Sequence, residues 1–226
     1  PLVALLDAEP AVAATAGYVL GRLGPRAESA VPVLVTRVVE RNDPQSAAAL
    51  SRIGPSAIPS LLQATAEQRL EPSRAAVIIG NMGLQAHSTL LPELASSFPE
   101  RRATALLALG QFTTGARTVV AQVLPAMEDP SSQVRAAAAN ALGQLKTAAA
   151  EAKPVLSRAA TDDSDPQVRA ESLTALMAIG VPLEQLLPPV LQGLQDNSPA
   201  VRRGSAQAIG HLHPFPETAV DSLVAA

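Results

Sequence analysis

Histidine is the side chain that most readily does acid–base or metal chemistry near neutral pH, and the chain has three. His211 and His213 flank Leu212. Two residues apart on a helix they point to different sides, so they make a poor metal pair unless the helix has ended, and no third ligand lies nearby. Pro214 marks the end of the helix there. His87 stands alone in a predicted loop. There is no cysteine, which excludes a disulfide framework, a thiolate zinc site and a thiol nucleophile. No glycine-rich phosphate loop, nucleophile elbow or paired-carboxylate arrangement occurs. The spacing therefore assigns no catalytic residue, no cofactor-binding residue and no metal ligand. What remains is a recurring cation: Arg102, Arg135, Arg169 and Arg202, one in each of the last four repeats. A planar guanidinium grips a carboxylate with two parallel hydrogen bonds. Stacked in an array, the four arginines could hold an anionic ligand. The turn carboxylates close to them in sequence, such as Asp129, Asp165 and Asp196, favour a structural ladder instead.

The elements that would carry this ladder announce themselves by repetition. Val134-Arg135 leads to Ala141-Leu142-Gly143, Val168-Arg169 to Ala175-Leu176-Met177, and Val201-Arg202 to Ala208-Ile209-Gly210. Looser copies run from Val12 to Leu20-Gly21, from Glu71 to Ile79-Gly80 and from Arg101-Arg102 to Leu109-Gly110; the faintest runs from Asn42 to Leu50-Ser51. The marks at 12, 42, 71, 101, 134, 168 and 201 are spaced by 30, 29, 30, 33, 34 and 33 residues. A period of that size predicts a stacked array, not a globule with one centre.

Each repeat reads as two helices. Val134, Ala138, Ala141, Leu142 and Leu145 form one apolar stripe at helical spacing. Asp129-Pro130-Ser131-Ser132 before them offers a turn and N-cap oxygens. A glycine inside a helix costs up to ~1 kcal/mol against alanine. Its recurrence as Gly21, Gly80, Gly110, Gly143 and Gly210 therefore predicts a close approach by the paired helix. Ser51 and Met177 hold the same slot. The second helix is marked by a proline followed by apolar residues: Pro32, Pro59, Pro92, Pro125, Pro154 and Pro188-Pro189. Proline is tolerated in a first helical turn, so these are expected to be helix starts.

Composition fits this reading. Of 226 residues 47% are apolar, yet there is no Trp, one Tyr and three Phe, against 44 Ala. Alanine favours helix and lets helix axes approach closely. Tyr18, Phe98 and Phe112 are expected as occasional core fillers, and Phe215, between two prolines, as a partly exposed loop residue. The 17 basic and 20 acidic residues are interspersed and give a net charge of −3, which argues against a nucleic-acid footprint. No apolar run approaches the roughly 20 residues of a membrane span. Pro1 to Asp7 reads as the second helix of a repeat lacking its first, so the chain is expected to be a piece of a longer one. Nothing in it fixes a compartment.

The Asp-Pro-x-Val-Arg openings and Ala-Leu-Gly endings resemble HEAT repeats. The subtype is similar to the short bacterial one also found in phycobilin lyases, as in the run Leu23-Gly24-Pro25-Arg26-Ala27-Glu28-Ser29-Ala30-Val31-Pro32. The resemblance spans nearly the whole chain, strongest over 132–212 and weakest over 42–66. It implies an all-α, right-handed superhelix of about seven helical hairpins, a single array over 1–226, with the second helices lining a concave inner face. That face would expose the fourth residue after each proline: Thr36, Gln63, Ser96, Asp129, Arg158 and Gln192, with Arg37 beside Thr36. The resemblance implies a non-catalytic protein-interaction scaffold with a protein partner and no cofactor. The alternative is an auxiliary or lyase-type subunit acting on a chromophore-bearing protein. Iron-binding members of this repeat class use adjacent His-Glu pairs, and no histidine here precedes a glutamate.

Overall fold

The computed structural model describes residues 2–112 and 114–210, and every regular element among them is helical. The helices are α1 Pro10–Leu23, α2 Val31–Arg41, α3 Pro44–Ile53, α4 Ile58–Ala66, α5 Pro72–Gly80, α6 His87–Leu90 and α7 Pro99–Leu109. They continue with α8 Ala116–Val123, α9 Ser132–Gln144, α10 Lys153–Asp162, α11 Pro166–Ile179, α12 Leu183–Leu194 and α13 Pro199–Gly210. Odd-numbered helices from α1 to α13 carry the repeating phrase, and even-numbered ones are their hairpin partners. His211, His213 and Phe215 lie outside the described residues.

Proline punctuates both helices of the hairpin. Pro10, Pro44, Pro72, Pro99, Pro166 and Pro199 are the first residues of their helices, where the missing N–H has no intrahelical acceptor to forgo. Asp43 and Asp165 cap two of these starts, the first accepting from Gln45 N at 3.0 Å and the second from Gln167 N at 2.8 Å. α11 ends on Gly180, whose φ of +78° gives the left-handed turn that other residues resist.

The second-helix prolines fall into three groups, and only one is as expected. Pro32, Pro59 and Pro154 are the second residues of α2, α4 and α10, each following a 3-10 turn. Pro92 and Pro125 are instead the second residues of 3-10 segments, Leu91–Ala95 and Leu124–Glu128, that continue α6 and α8. A proline lacks the N–H that would bond the carbonyl four residues back, and the chain answers by tightening to 3-10 pairing. Pro188 and Pro189 sit inside α12, which starts a turn earlier at Leu183. The carbonyls they leave without an α-helical donor belong to Glu184 and Gln185, both exposed residues within reach of water.

The chain divides into two compact units, Pro1–Leu109 and Gly110–Ala226. In the first, α1 packs on α3, α3 on α5 and α5 on α7, while α2 packs on α4. In the second, α9 packs on α11 and α11 on α13, while α10 packs on α12. First helices thus pack on first helices and second on second. Leu34, Leu50, Ile58, Leu61, Leu62 and Leu106 are sealed from solvent in the first unit, and Val134, Leu142, Leu156, Leu173 and Leu176 in the second. Each such side chain contributes about 1.5–3 kcal/mol by leaving water.

Small residues set the spacing between neighbouring first helices. A Cβ on Gly21 would stand 3.1 Å from the Ala49 Cα and one on Gly143 3.0 Å from the Ala175 Cα, and within the second unit one on Gly110 would stand 2.7 Å from the Ala141 Cα. Each partner is the alanine two positions before the next repeat's glycine slot. The close approach therefore involves the first helix of the following repeat, not the paired helix of the same hairpin. The slot tolerates serine because Ser51 replaces the bare contact with a bond, its Oγ donating to the Ile78 carbonyl at 2.8 Å. Ile78, too, lies two positions before the next glycine slot.

Two expected core fillers are outside the core. Tyr18 is 48% exposed and Phe98 49%, whereas Phe112 is buried at 4%. Tyr18 lies three positions before the glycine slot, a place held by exposed Val77 and Thr174 in other repeats. Phe98 lies in the turn before α7.

Candidate functional site

The ladder arginines sit at the first turn of their helices and reach backwards and forwards at once. Backwards, each Nη1 donates to the carbonyl of the residue six positions earlier: Arg102 to Ser96 at 2.7 Å, Arg135 to Asp129 at 2.9 Å, Arg169 to Asp163 at 2.7 Å and Arg202 to Asp196 at 2.8 Å. These carbonyls close the end of the preceding second helix, where acceptors lack intrahelical donors. Forwards, Arg135 forks onto the Asp163 carboxylate with both bonds at 2.8 Å, and Arg169 onto Asp196 at 2.7 and 2.8 Å.

The turn aspartates are the other half of this clasp. Asp129, Asp163 and Asp196 each accept with Oδ1 from the backbone N–H two residues on, at 2.9, 2.9 and 2.8 Å. That bond is the local turn to which aspartate is suited. Asp163 therefore holds its own turn, gives its carbonyl to Arg169 and gives its carboxylate to Arg135. Its burial opposes ionisation, but the bonds from Arg135 and the Asp165 N–H outweigh that and keep its carboxyl below the ordinary value. The Arg169 fork holds Asp196 below its ordinary value as well. The partner carboxylate of Arg135 is thus Asp163, one turn further along than Asp129, and Asp165 serves as a helix cap.

At the start of the first unit a different arginine performs the task. Val12 is followed by Ala13, and Arg37 in α2 takes over. Its guanidinium bonds the Leu6 carbonyl, Asp7 at 3.3 Å and Asp43 at 3.1 Å. With 11% of its side chain exposed, Arg37 is a structural tie. Asp43 is partly buried, which opposes its charge, yet bonds from Ser46 and Arg37 leave its carboxyl below the ordinary value. Arg101 forks onto Glu93 at 2.8 and 2.7 Å. The repeating phrase marks neither as a tie, because Arg37 lies on a second helix and Arg101 one place before the ladder position.

The remaining positions after the prolines divide by local structure. Thr36, Gln63, Arg158 and Gln192 are exposed on α2, α4, α10 and α12. Gln63 bonds Glu67 at 2.8 Å, and Gln192 reaches the Thr161 carbonyl at 3.4 Å. Arg158 pairs with Glu128 near the end of the preceding second helix, and both side chains are mostly exposed. Beside this pair lies an open hollow of about 310 Å³, floored by Met127, Val155 and Ala159 with Asp162 at its edge. Ser96 and Asp129 differ, because the 3-10 endings before them turn these residues out of the helix face and into the clasp.

The sequence profile of HEAT repeats matches residues 88–177 and 162–226, more than half of the chain. The chain belongs to the HEAT-repeat family. No curated protein matches it closely enough to count as a relative. Among solved structures, this HEAT-repeat chain is similar to one in the complex of CpcE and CpcF of phycocyanin lyase from Nostoc sp. PCC7120. Identity is 20%, the match covers 68% of this chain and 98% of that one, and the TM-score is 0.56. It is also similar to Kap121p, with 16% identity over 92% of this chain and 29% of that one, at a TM-score of 0.64. At such identities both likenesses speak for the HEAT-type fold alone.

Proposed function

We propose that this chain is a non-catalytic protein-interaction scaffold whose seven repeats form one array and present the exposed row of their second helices to a protein partner. One observation carries the reading. Arg37, Asp43, Arg135, Asp163, Arg169 and Asp196, all at least half-buried, are bonded to one another or to turn backbone within the clasps. The exposed side chains Thr36, Gln63, Arg158 and Gln192 on α2, α4, α10 and α12 take no part in those clasps. Charge is thus used inside the fold to hold repeats together, while Thr36, Gln63, Arg158 and Gln192 remain accessible for recognition. An extended segment or a helix laid along such a row would meet alternating polar contacts and the Met127-floored hollow.

The test places a photo-crosslinking residue at Gln63, Arg158 or Gln192 and, as controls, at Gln133 and Thr174 on the first helices. Adducts formed from the second-helix positions and not from the controls support the reading. Adducts only from the controls overturn it. The structural likeness to a phycocyanin lyase chain, which covers nearly all of that chain, motivates a second reading as a lyase-type subunit. Mixing with a bilin and its acceptor protein would then change the visible absorbance, and the scaffold reading expects no change.

A further inference from the structure

The single tyrosine of the chain is held in the open by two arginines. Tyr18 projects from α1 with 48% of its surface exposed. The Arg52 guanidinium, from α3, lies 5.4 Å from the ring centroid, and Arg22 Nη1 donates to the phenol oxygen at 3.4 Å. The Arg52 stem runs across Gly21, where a Cβ would come 3.1 Å from the Arg52 Cδ. The glycine slot that seats α3 against α1 therefore also provides the path that brings this guanidinium over the ring. Both arginines are exposed, and among the described residues neither meets a carboxylate. This contrasts with Arg37, Arg101, Arg135 and Arg169, which all bond carboxylates.

The geometry points to a docking surface on the first helices, centred on Tyr18, Arg22 and Arg52, for a carboxylate-bearing segment of a protein partner. Charge complementarity chooses the occupant. Two neighbouring guanidinium groups without a counter-ion offer forked donors, and the ring between them offers apolar area at small conformational cost. The ring is already fixed by its cation contacts, so little side-chain freedom is lost when a partner arrives. A single-stranded nucleic acid would use similar groups, but it needs several stacking rings along a basic track. This chain has one tyrosine, no tryptophan and a net charge of −3. The surface is separate from the second-helix row, so either can fail its test while the other stands.

The molecule supplies its own reporter, because with one tyrosine and no tryptophan its intrinsic emission comes from Tyr18 alone. Hexaglutamate titrated into the protein at low salt is expected to change that emission saturably, and hexalysine is not. Added salt should weaken the response, as for any exposed charge pairing. The Arg22→Gln/Arg52→Gln double variant, checked for unchanged helicity by circular dichroism, should bind hexaglutamate at least about fivefold more weakly. The Arg74→Gln/Arg117→Gln variant, which removes the same charge elsewhere, should match the parent. Three results would overturn the proposal. These are no saturable change up to about 10 mM hexaglutamate, equal weakening in both double variants, or tighter binding of oligothymidylate than of hexaglutamate.

Discussion

The two units make the same helices by different means. In Gly110–Ala226 one device is copied: an arginine at the start of each first helix ties the turn behind it, and Arg135 and Arg169 each grip the turn aspartate of the next repeat. In Pro1–Leu109 Arg102 repeats that backward tie, on the Ser96 carbonyl, and the other fastenings are improvised. Arg37 of a second helix ties the Leu6 turn and Asp43, Arg101 grips Glu93, and Ser51 bonds the Ile78 carbonyl. What both units share is small-residue contact between neighbouring first helices, at Gly21 on Ala49 as at Gly143 on Ala175. The comparison teaches that close packing of small residues defines the repeat, and that the charged clasp is one of several ways to fasten its turns.

The sharpest way to break that shared element is to add one carbon. Gly110→Ala and Gly143→Ala put a Cβ 2.7 and 3.0 Å from the backbone of the next first helix. Each is expected to cost about 1–3 kcal/mol in urea unfolding, the usual penalty of overpacking. Gly204 lies in α13 with open space around it. There Gly204→Ala should stabilise by up to about 1 kcal/mol, as alanine is the better helix former. Equal effects at all three positions would remove the role assigned to the contact.

Next comes the clasp. Arg135→Ala strands the Asp163 carboxylate, whose side chain is 10% exposed. Arg37→Ala does the same to Asp43, which is 16% exposed. Each should cost about 1–3 kcal/mol. Arg135 and Arg169 share Asp163 and should couple by about 0.5 kcal/mol or more in a double-mutant cycle. Arg37 and Arg135 share no partner and should be additive.

Acid should separate the units more gently. Asp163, Asp165 and Asp196 in the second unit, and Asp43 and the exposed Glu67 in the first, have folded-state pKa values below the ordinary one. A depressed carboxyl stabilises the fold above its unfolded pKa, about 3.9, and that contribution is lost as pH falls through the folded value. The second unit has more to lose below about pH 4. Far-UV dichroism, which sees all helices, should therefore decline before the emission of Tyr18, which reports the first unit.

The sequence carried the helical hairpins, their period and the ladder position, because glycine, alanine and arginine recur there at fixed spacing. It mislocated the glycine contact, since a one-dimensional pattern does not say which neighbour a helix face meets. It placed Tyr18 and Phe98 inside because aromatic rings are usually buried, although exposed Val77 and polar Thr174 hold the Tyr18 position in other repeats. The Arg37 tie left no signal, because a second-helix arginine at one junction has no copies. Pro188 and Pro189 resemble a start because their register matches the earlier prolines, while the extra turn before them carries no mark.

The smallest expected effect sharpens the comparison at its weakest repeat. Ser51→Ala removes the 2.8 Å bond to Ile78 but leaves the helices in place. It should cost about 0.5–1.5 kcal/mol. A larger loss would mean that the hydroxyl, and not small size, holds α3 against α5.

Hydrogen exchange on the Gly143→Ala variant reads most directly whether each hairpin depends on its neighbours. If stability is a sum of adjacent contacts, exchange will speed up in α9, α11 and the helices packed against them, while α2 to α5 keep the parent's rates. Equal acceleration in α2 to α5 would contradict it, because the chain would then be unfolding around one common core.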